Sequence, residues 1–217
     1  MIKTAILFIS LLLLSACSFK SPPNQWQYKS ATAFDSYTTN FLSIHDTLAK
    51  NDLSRAIKHA KQSADLRMLA RVYLGVCALN ISVGIDDDCK DYLLISDLVH
   101  DKSLDAYYSF ITLKPKYLVE NLSSQYRDFA LAIRDKNFAK ASSEILTIDK
   151  ATSKLLAAAL VKNKLSEATR DEMINIASFY GYKKSILFWL NEAMHNTVDE
   201  VKRKNLSKKI SILNSDK

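Results

Sequence analysis

Residues 51–79 read NDLSRAIKHAKQSADLRMLARVYLGVCAL, and their spacing decides the fold class. Leu53, Ala56, Ile57, Ala60 and Ala64 recur at helical intervals, with Arg55, Lys58 and Lys61 between them. That pattern predicts an amphipathic helix. Residues 65–79 carry a second stripe of Leu66, Leu69, Ala70, Tyr73, Leu74 and Cys77, while Met68, Val72, Val76 and Leu79 make its other faces apolar too. A helix apolar on several sides belongs in the interior of a bundle. Similar periodicity predicts helices near 31–50, 88–99, 102–113, 115–133, 137–147, 149–163, 166–180, 182–196 and 198–213. Ser103, Ser123, Asp149, Ser166 and Asp199 stand near helix starts, as capping residues do. Pro115 suits a first helical turn. The chain of 217 residues holds only three glycines and three prolines. Tight hairpins and phosphate-cradling loops draw on clustered turn residues, so the expectation is an all-α protein.

Three segments share one layout: NDLSRAIKHA from Asn51, KNFAKASSEI from Lys136 and YGYKKSILFW from Tyr180. A polar or glycine turn residue precedes Leu53, Phe138 or Tyr182, and Ala56, Ala141 or Ser185 follows three positions later. A small residue there lets a neighbouring helix come close. The layout resembles the opening of the first helix in a tetratricopeptide or Sel1-like repeat, and YLGVCAL (73–79) is a weaker echo. The resemblance implies stacked antiparallel helical hairpins, a short and irregular α-solenoid, forming a single domain over residues 31–217. The segments lie 85 and 44 residues apart, which is not the constant period of a regular array.

The chain opens MIKTAILFISLLLLSAC. Lys3 precedes an apolar run from Ala5 to Leu14, too short to span a bilayer, which needs about 20 such residues. It fits the core of a secretory signal. Leu14-Ser15-Ala16-Cys17 resembles the lipobox of bacterial lipoproteins. The resemblance implies cleavage after residue 16, a diacylglycerol-linked Cys17 and further acylation of its new amino terminus. Two or more acyl chains anchor a protein stably where one does not. Residues 17–30 then read as the lipidated cysteine and a polar tether around Pro22-Pro23. Trp26 and Tyr28 interrupt that tether, either as headgroup-level aromatics or as packing for the first helix. The resemblance places the domain in the envelope of a Gram-negative bacterium, Ser18 favours the outer membrane over the inner, and the expected address is the periplasmic face of that membrane.

The net charge is +7, and loss of the signal with Lys3 leaves 29 basic against 23 acidic side chains, or +6. The densest basic patch, KRKNLSKK (202–209), reads as a solvated helix face, and an exported domain is a poor partner for nucleic acid. His45, His59, His100 and His195 form no i,i+3 or i,i+4 pair, so no helical zinc motif exists. There is no G-x-S-x-G elbow and no glycine-rich phosphate loop. Among carboxylates, Glu120, Glu144, Glu167 and Glu192 occupy ordinary solvated helix positions. Neither a metal nor a cofactor is expected. The aromatic stretches LDAYYSF (104–110) and SILFWLNEAM (185–194) hold the candidate partner contacts, Tyr108 and Trp189, if one helix face is left open.

The plan of lipobox, short tether and stacked hairpins is similar to that of lipoproteins that assist outer-membrane protein assembly or secretin placement. It implies a lipid-anchored scaffold or adaptor that binds another envelope protein. The alternatives are peptidoglycan binding through the basic face, or a cell-wall enzyme working through one of the carboxylates. Cys77 and Cys89 flank a turn containing Gly84 and Asp86-Asp87-Asp88. Consecutive aspartates do not alternate as calcium-loop ligands do, and they suit a helix start instead. Cys77 stands about one turn before one helix ends, and Cys89 in the first turn of the next. In an oxidising compartment, with Cys17 consumed by lipid, this pair is set for a disulfide; two packed free thiols are the other reading.

Overall fold

The computed structural model of the protein describes residues 24–215. The signal, Cys17 and the Pro22-Pro23 segment lie outside the described residues. Twelve α-helices and two 3-10 turns account for the regular structure, and among the described residues there is no strand. Helices α1 (Gln25–Leu42), α2 (Asp46–Ala60) and α3 (Arg67–Ser82) come first, followed by the one-turn helices α4 (Lys90–Leu93) and α5 (Ser96–Val99). Next are α6 (Lys102–Ile111), α7 (Ser124–Arg134), α8 (Phe138–Thr147) and α9 (Ala151–Leu160). The chain closes with α10 (Glu167–Phe179), α11 (Lys183–Asn196) and α12 (Glu200–Asn214). The fold is a single all-α domain of stacked antiparallel hairpins.

Connections of three residues force α1 against α2, α7 against α8 and α10 against α11, each pair antiparallel. Helix α3 runs through the middle and packs on α9, while α11 contacts α10, α12 and α1. The main core gathers Leu74, Phe110, Phe129, Ile145, Leu155, Met173 and Trp189. A second cluster fastens α1 and α2 to α3 through Ala33, Ala56, Ala60, Leu69 and Val72.

The small residues of the three similar segments sit where helices touch. Ala56, Ala141 and Ser185 are all fully buried. At Ala56 the approach is close enough for Ser30 Oγ on α1 to donate to its carbonyl at 2.8 Å. Gly75 serves the same end on α3, since an added Cβ would stand 2.3 Å from Phe34 Cζ. Ser185 differs from the two alanines, because its buried hydroxyl finds no hydrogen-bond partner.

Several expected boundaries move. Helix α1 begins at Gln25, inside the segment read as tether, so Trp26 and Tyr28 are helical; Trp26 is half-buried and Tyr28 is 75% exposed. Asn51 is not a turn residue but lies mid-helix in α2. The true break is Ser43–His45, where Ile44 N–H donates to Phe41 O, His45 N–H donates to Asn40 O, and Ile44 takes the left-handed conformation at φ 63°. Pro115 opens no helix; it lies in the loop ahead of a 3-10 turn at Val119–Asn121, and α7 starts only after Ser123. The helix expected over 88–99 divides into α4 and α5, with Ile95 leaving helical geometry at φ −125°, while Tyr92 is buried with its hydroxyl donating to Asp105 Oδ1 at 2.6 Å. Ser166 and Asp199 do cap α10 and α12. The cap of α6 is Asp101, which accepts from the backbone and hydroxyl of Ser103. No helix among the described residues is long and apolar enough to cross a membrane.

Replacing Ser185 with Ala is expected to raise stability by about 1 kcal/mol, because a buried hydroxyl without a partner is removed. Ala141→Leu is expected to lower it by about 1–3 kcal/mol through overpacking. Urea unfolding followed by circular dichroism reads both, and a weakened Ser185→Ala protein would show that the hydroxyl is satisfied after all.

Candidate functional site

The site is best built from the turn after α3. Helix α3 ends on Gly84, whose N–H donates to Ile81 O while Ile85 N–H donates to Asn80 O. Gly84 has φ 76°, and the Phe188 ring lies 2.4 Å from where its Cβ would be, so both backbone and neighbour require glycine. Asp87 then folds the acidic run back onto the helix. Its Oδ1 accepts from Cys89 N–H at 2.8 Å and its Oδ2 from Asn80 Nδ2 at 2.7 Å. Cys77 and Cys89 are buried at disulfide distance, with Sγ–Sγ 2.03 Å and Cα–Cα 5.2 Å.

Sγ of Cys77, a carboxylate oxygen of Asp87 and Sγ of Cys89 all fall within 4.8 Å of one another. As a metal site this trio is compromised, because both Asp87 oxygens already accept hydrogen bonds and the sulfurs stand at bonding distance to each other. The cluster is better described as the knot that fixes the loop to α3.

Beside this loop opens a cleft of ≈1500 Å³. Its walls are the acidic loop, the segment after α6, the α7–α8 turn and the segment after α9. Four helices, α3, α6, α7 and α9, therefore deliver their C-terminal ends to one place. Three of them stop in the same way, with a left-handed residue on the rim: Gly84, Leu113 at φ 54° and Lys136 at φ 56°. Helix C-termini carry partial negative charge, and Lys114, Lys136, Lys162 and Lys164 follow those ends on the cleft wall. Val76, Ile111, Ile133, Leu160 and the rings of Tyr73 and Tyr117 supply apolar lining.

The charges on the walls divide into two sets. Asp87 is spent on the loop, Lys162 pairs with Glu192 at 3.3 Å, Lys90 pairs with Asp88 at 3.6 Å, and Arg134 lies 3.7 Å from Asp135. Lys114 donates to the Tyr108 hydroxyl at 2.7 Å. Among the described residues, Asp86, Asp91 and Lys136 have no ion pair or side-chain hydrogen bond, and Lys164 only approaches the Phe138 ring at 5.9 Å.

The expected partner contacts are placed differently from their sequence reading. Trp189, on α11, is fully buried and presents no face to a partner, a correction that follows from α11 lying between α10, α12 and α1. Tyr108 is buried as well, but it lines the cleft, its ring 5.4 Å from that of Tyr92. Glu120, Glu144, Glu167 and Glu192 are not among the lining residues; Glu167 pairs with Lys202 and Glu192 with Lys162. Within the 202–209 patch, Lys202 is held by Glu167 and Asp171, while Lys204, Lys208 and Lys209 are exposed. Sequence reasoning passed over Lys114, Lys136 and Lys164 because they are far apart along the chain. Their common signal is that each stands just past a helix end.

Burial raises the pKa of Tyr92 and Tyr37 near this region. Tyr92 is raised by burial first and by its bond to the Asp105 carboxylate second. Tyr37 on α1 is pushed up to about 12, mainly by burial, with the Asp87 charge adding to it. No protein-family model matches the sequence, and neither a curated protein nor a solved structure matches it.

A tyrosine that holds its proton more tightly folded than unfolded stabilises the fold below its ordinary pKa and loses that contribution as pH rises through the folded value. Stability is therefore expected to fall between pH 10, the ordinary value, and about 12, the folded value of Tyr37. Urea midpoints measured across that range check this. Tyr37→Phe should flatten the slope, and an unchanged slope would contradict the assignment.

Proposed function

We propose that the protein is a lipid-anchored adaptor of the bacterial cell envelope, and that it binds another envelope protein in the cleft beside the Cys77–Cys89 turn. The carrying observation is the cleft itself. At ≈1500 Å³ it exceeds the roughly 300–1,000 Å³ usual for small-molecule sites. Its lining brings lysines and aspartates from separate segments to one apolar-floored opening and includes no histidine. That is a surface for recognition more than for turnover. Anchorage rests on the Leu14–Cys17 lipobox, with the outer membrane, periplasmic face, as the proposed address. In that oxidising setting the Cys77–Cys89 pair is a disulfide that staples the acidic wall of the cleft to α3.

The following measurements test this reading. A photo-reactive residue at Leu113, on the exposed rim, is expected to capture a discrete envelope protein in intact cells; absence of any specific adduct would overturn the adaptor role. Cys17→Ser should release the chain from the membrane fraction and abolish palmitate labelling. For that soluble variant, denatured protein should show no free thiol without reductant and two with it. Reduction is expected to lower stability by about 3 kcal/mol, the loop-closure effect for a short disulfide loop.

A further inference from the structure

Resting on that adaptor reading, we infer that the cleft takes an extended peptide segment of the partner in which a basic and an acidic residue flank a short apolar stretch. The basic residue lies against Asp86 and Asp91. The acidic residue lies against Lys136 and Lys164.

The division of charges on the walls points to this chemistry. Lys162 and Asp87 are held by intramolecular partners and serve the fold. Asp86, Asp91 and Lys136 have no such partner among the described residues, Lys164 meets only a ring, and all four are exposed. The free acids come from the loop after α3 (Asp86) and the one-turn helix α4 that follows it (Asp91), and the free lysines from the separate turns after α7 and α9. A ligand of one sign would meet attraction from one set and repulsion from the other. A polyanion such as nucleic acid or an anionic membrane surface is disfavoured by the aspartate lip. A ligand with both charges, spaced by apolar groups that cover the floor, satisfies both sets. The volume of ≈1500 Å³ accommodates several residues rather than one small molecule.

The test uses the full mature chain in detergent and fluorescein-labelled peptides read by anisotropy at low salt. Each peptide carries the core Leu-Ser-Val-Ala. One pair has lysine at one end and glutamate at the other, in both orders; the controls have lysine or glutamate at both ends. At least one mixed-charge peptide is expected to bind, and the like-charge controls to bind about tenfold more weakly, the scale of two lost ion pairs of up to about 1 kcal/mol each. The exposed double variant Lys136→Glu with Lys164→Glu should lose the mixed peptide and gain the all-lysine one. Asp86→Lys with Asp91→Lys should gain the all-glutamate peptide. Equal binding of all four peptides, or no switch in preference, overturns the inference. If no peptide binds while the Leu113 cross-link still forms, the peptide inference falls and the adaptor reading stands. If the cross-link also fails, the adaptor reading falls with it.

Discussion

The cleft exists because helices stop abruptly, and most of these stops use no glycine. Five helices, α1, α3, α6, α7 and α10, end in the same pair of backward hydrogen bonds around a left-handed residue. Gly84 and Gly181 fill that position at α3 and α10; Ile44, Leu113 and Lys136 fill it at the others. A residue with a Cβ in that conformation costs about 1–2 kcal/mol relative to its usual state. The cost is tolerated because each reversal satisfies two carbonyls that would otherwise be orphaned. At α1, α7 and α10 it also turns the chain within three residues, so that the next helix packs at once against the last. Without these stops α3, α6 and α7 would not deliver their ends to the opening that the end of α9 also lines.

Close packing follows from the same geometry. A three-residue connection holds two helix axes near each other, and only small side chains fit at the crossing. Ala56, Ala141 and Ser185 occupy those crossings, and Gly75 admits Phe34 between α1 and α3. The large side chains are displaced to the spaces between hairpins, where Phe110, Phe129, Met173 and Trp189 share one core. That arrangement explains why α11, apolar on two sides in sequence, is central. Trp189, fully buried on it, holds the last hairpin to the rest and leaves nothing for an outside partner.

The same physics sets what was legible. Helical periodicity is a property of neighbouring residues, so the all-α class and most helices could be read from spacing. The small residues at 56, 141 and 185 could be read as crossings because their size matters whatever surrounds them. The break at Ser43–His45 could not, since Ile44 carries no mark of a turn; its conformation is imposed by the hydrogen bonds of the α1 end. Pro115 misled for the converse reason, being equally at home in a loop as in a first turn. The cleft was half legible. The acidic turn with its two cysteines stood out as one stretch, but the lysines facing the same opening become neighbours only when three helices end together. Trp189 was misplaced because an aromatic residue in sequence looks the same whether it anchors a core or an interface.

The acidic loop shows how fixation and recognition are combined in one segment. Adjacent aspartates repel, and a free loop would spread them into solvent. Here the loop is tied to α3 by the Asn80–Asp87 bond, by Asp87 accepting from the Cys89 backbone, and by the Cys77–Cys89 pair. Those ties use the middle aspartate and leave its neighbours exposed. A wall fixed before binding loses less conformational freedom on binding than a mobile one. The stretch between the cysteines is thus better understood as a rigid charged lip than as a metal loop. Its aspartates have meaning only in relation to the lysines that other helix ends bring beside it.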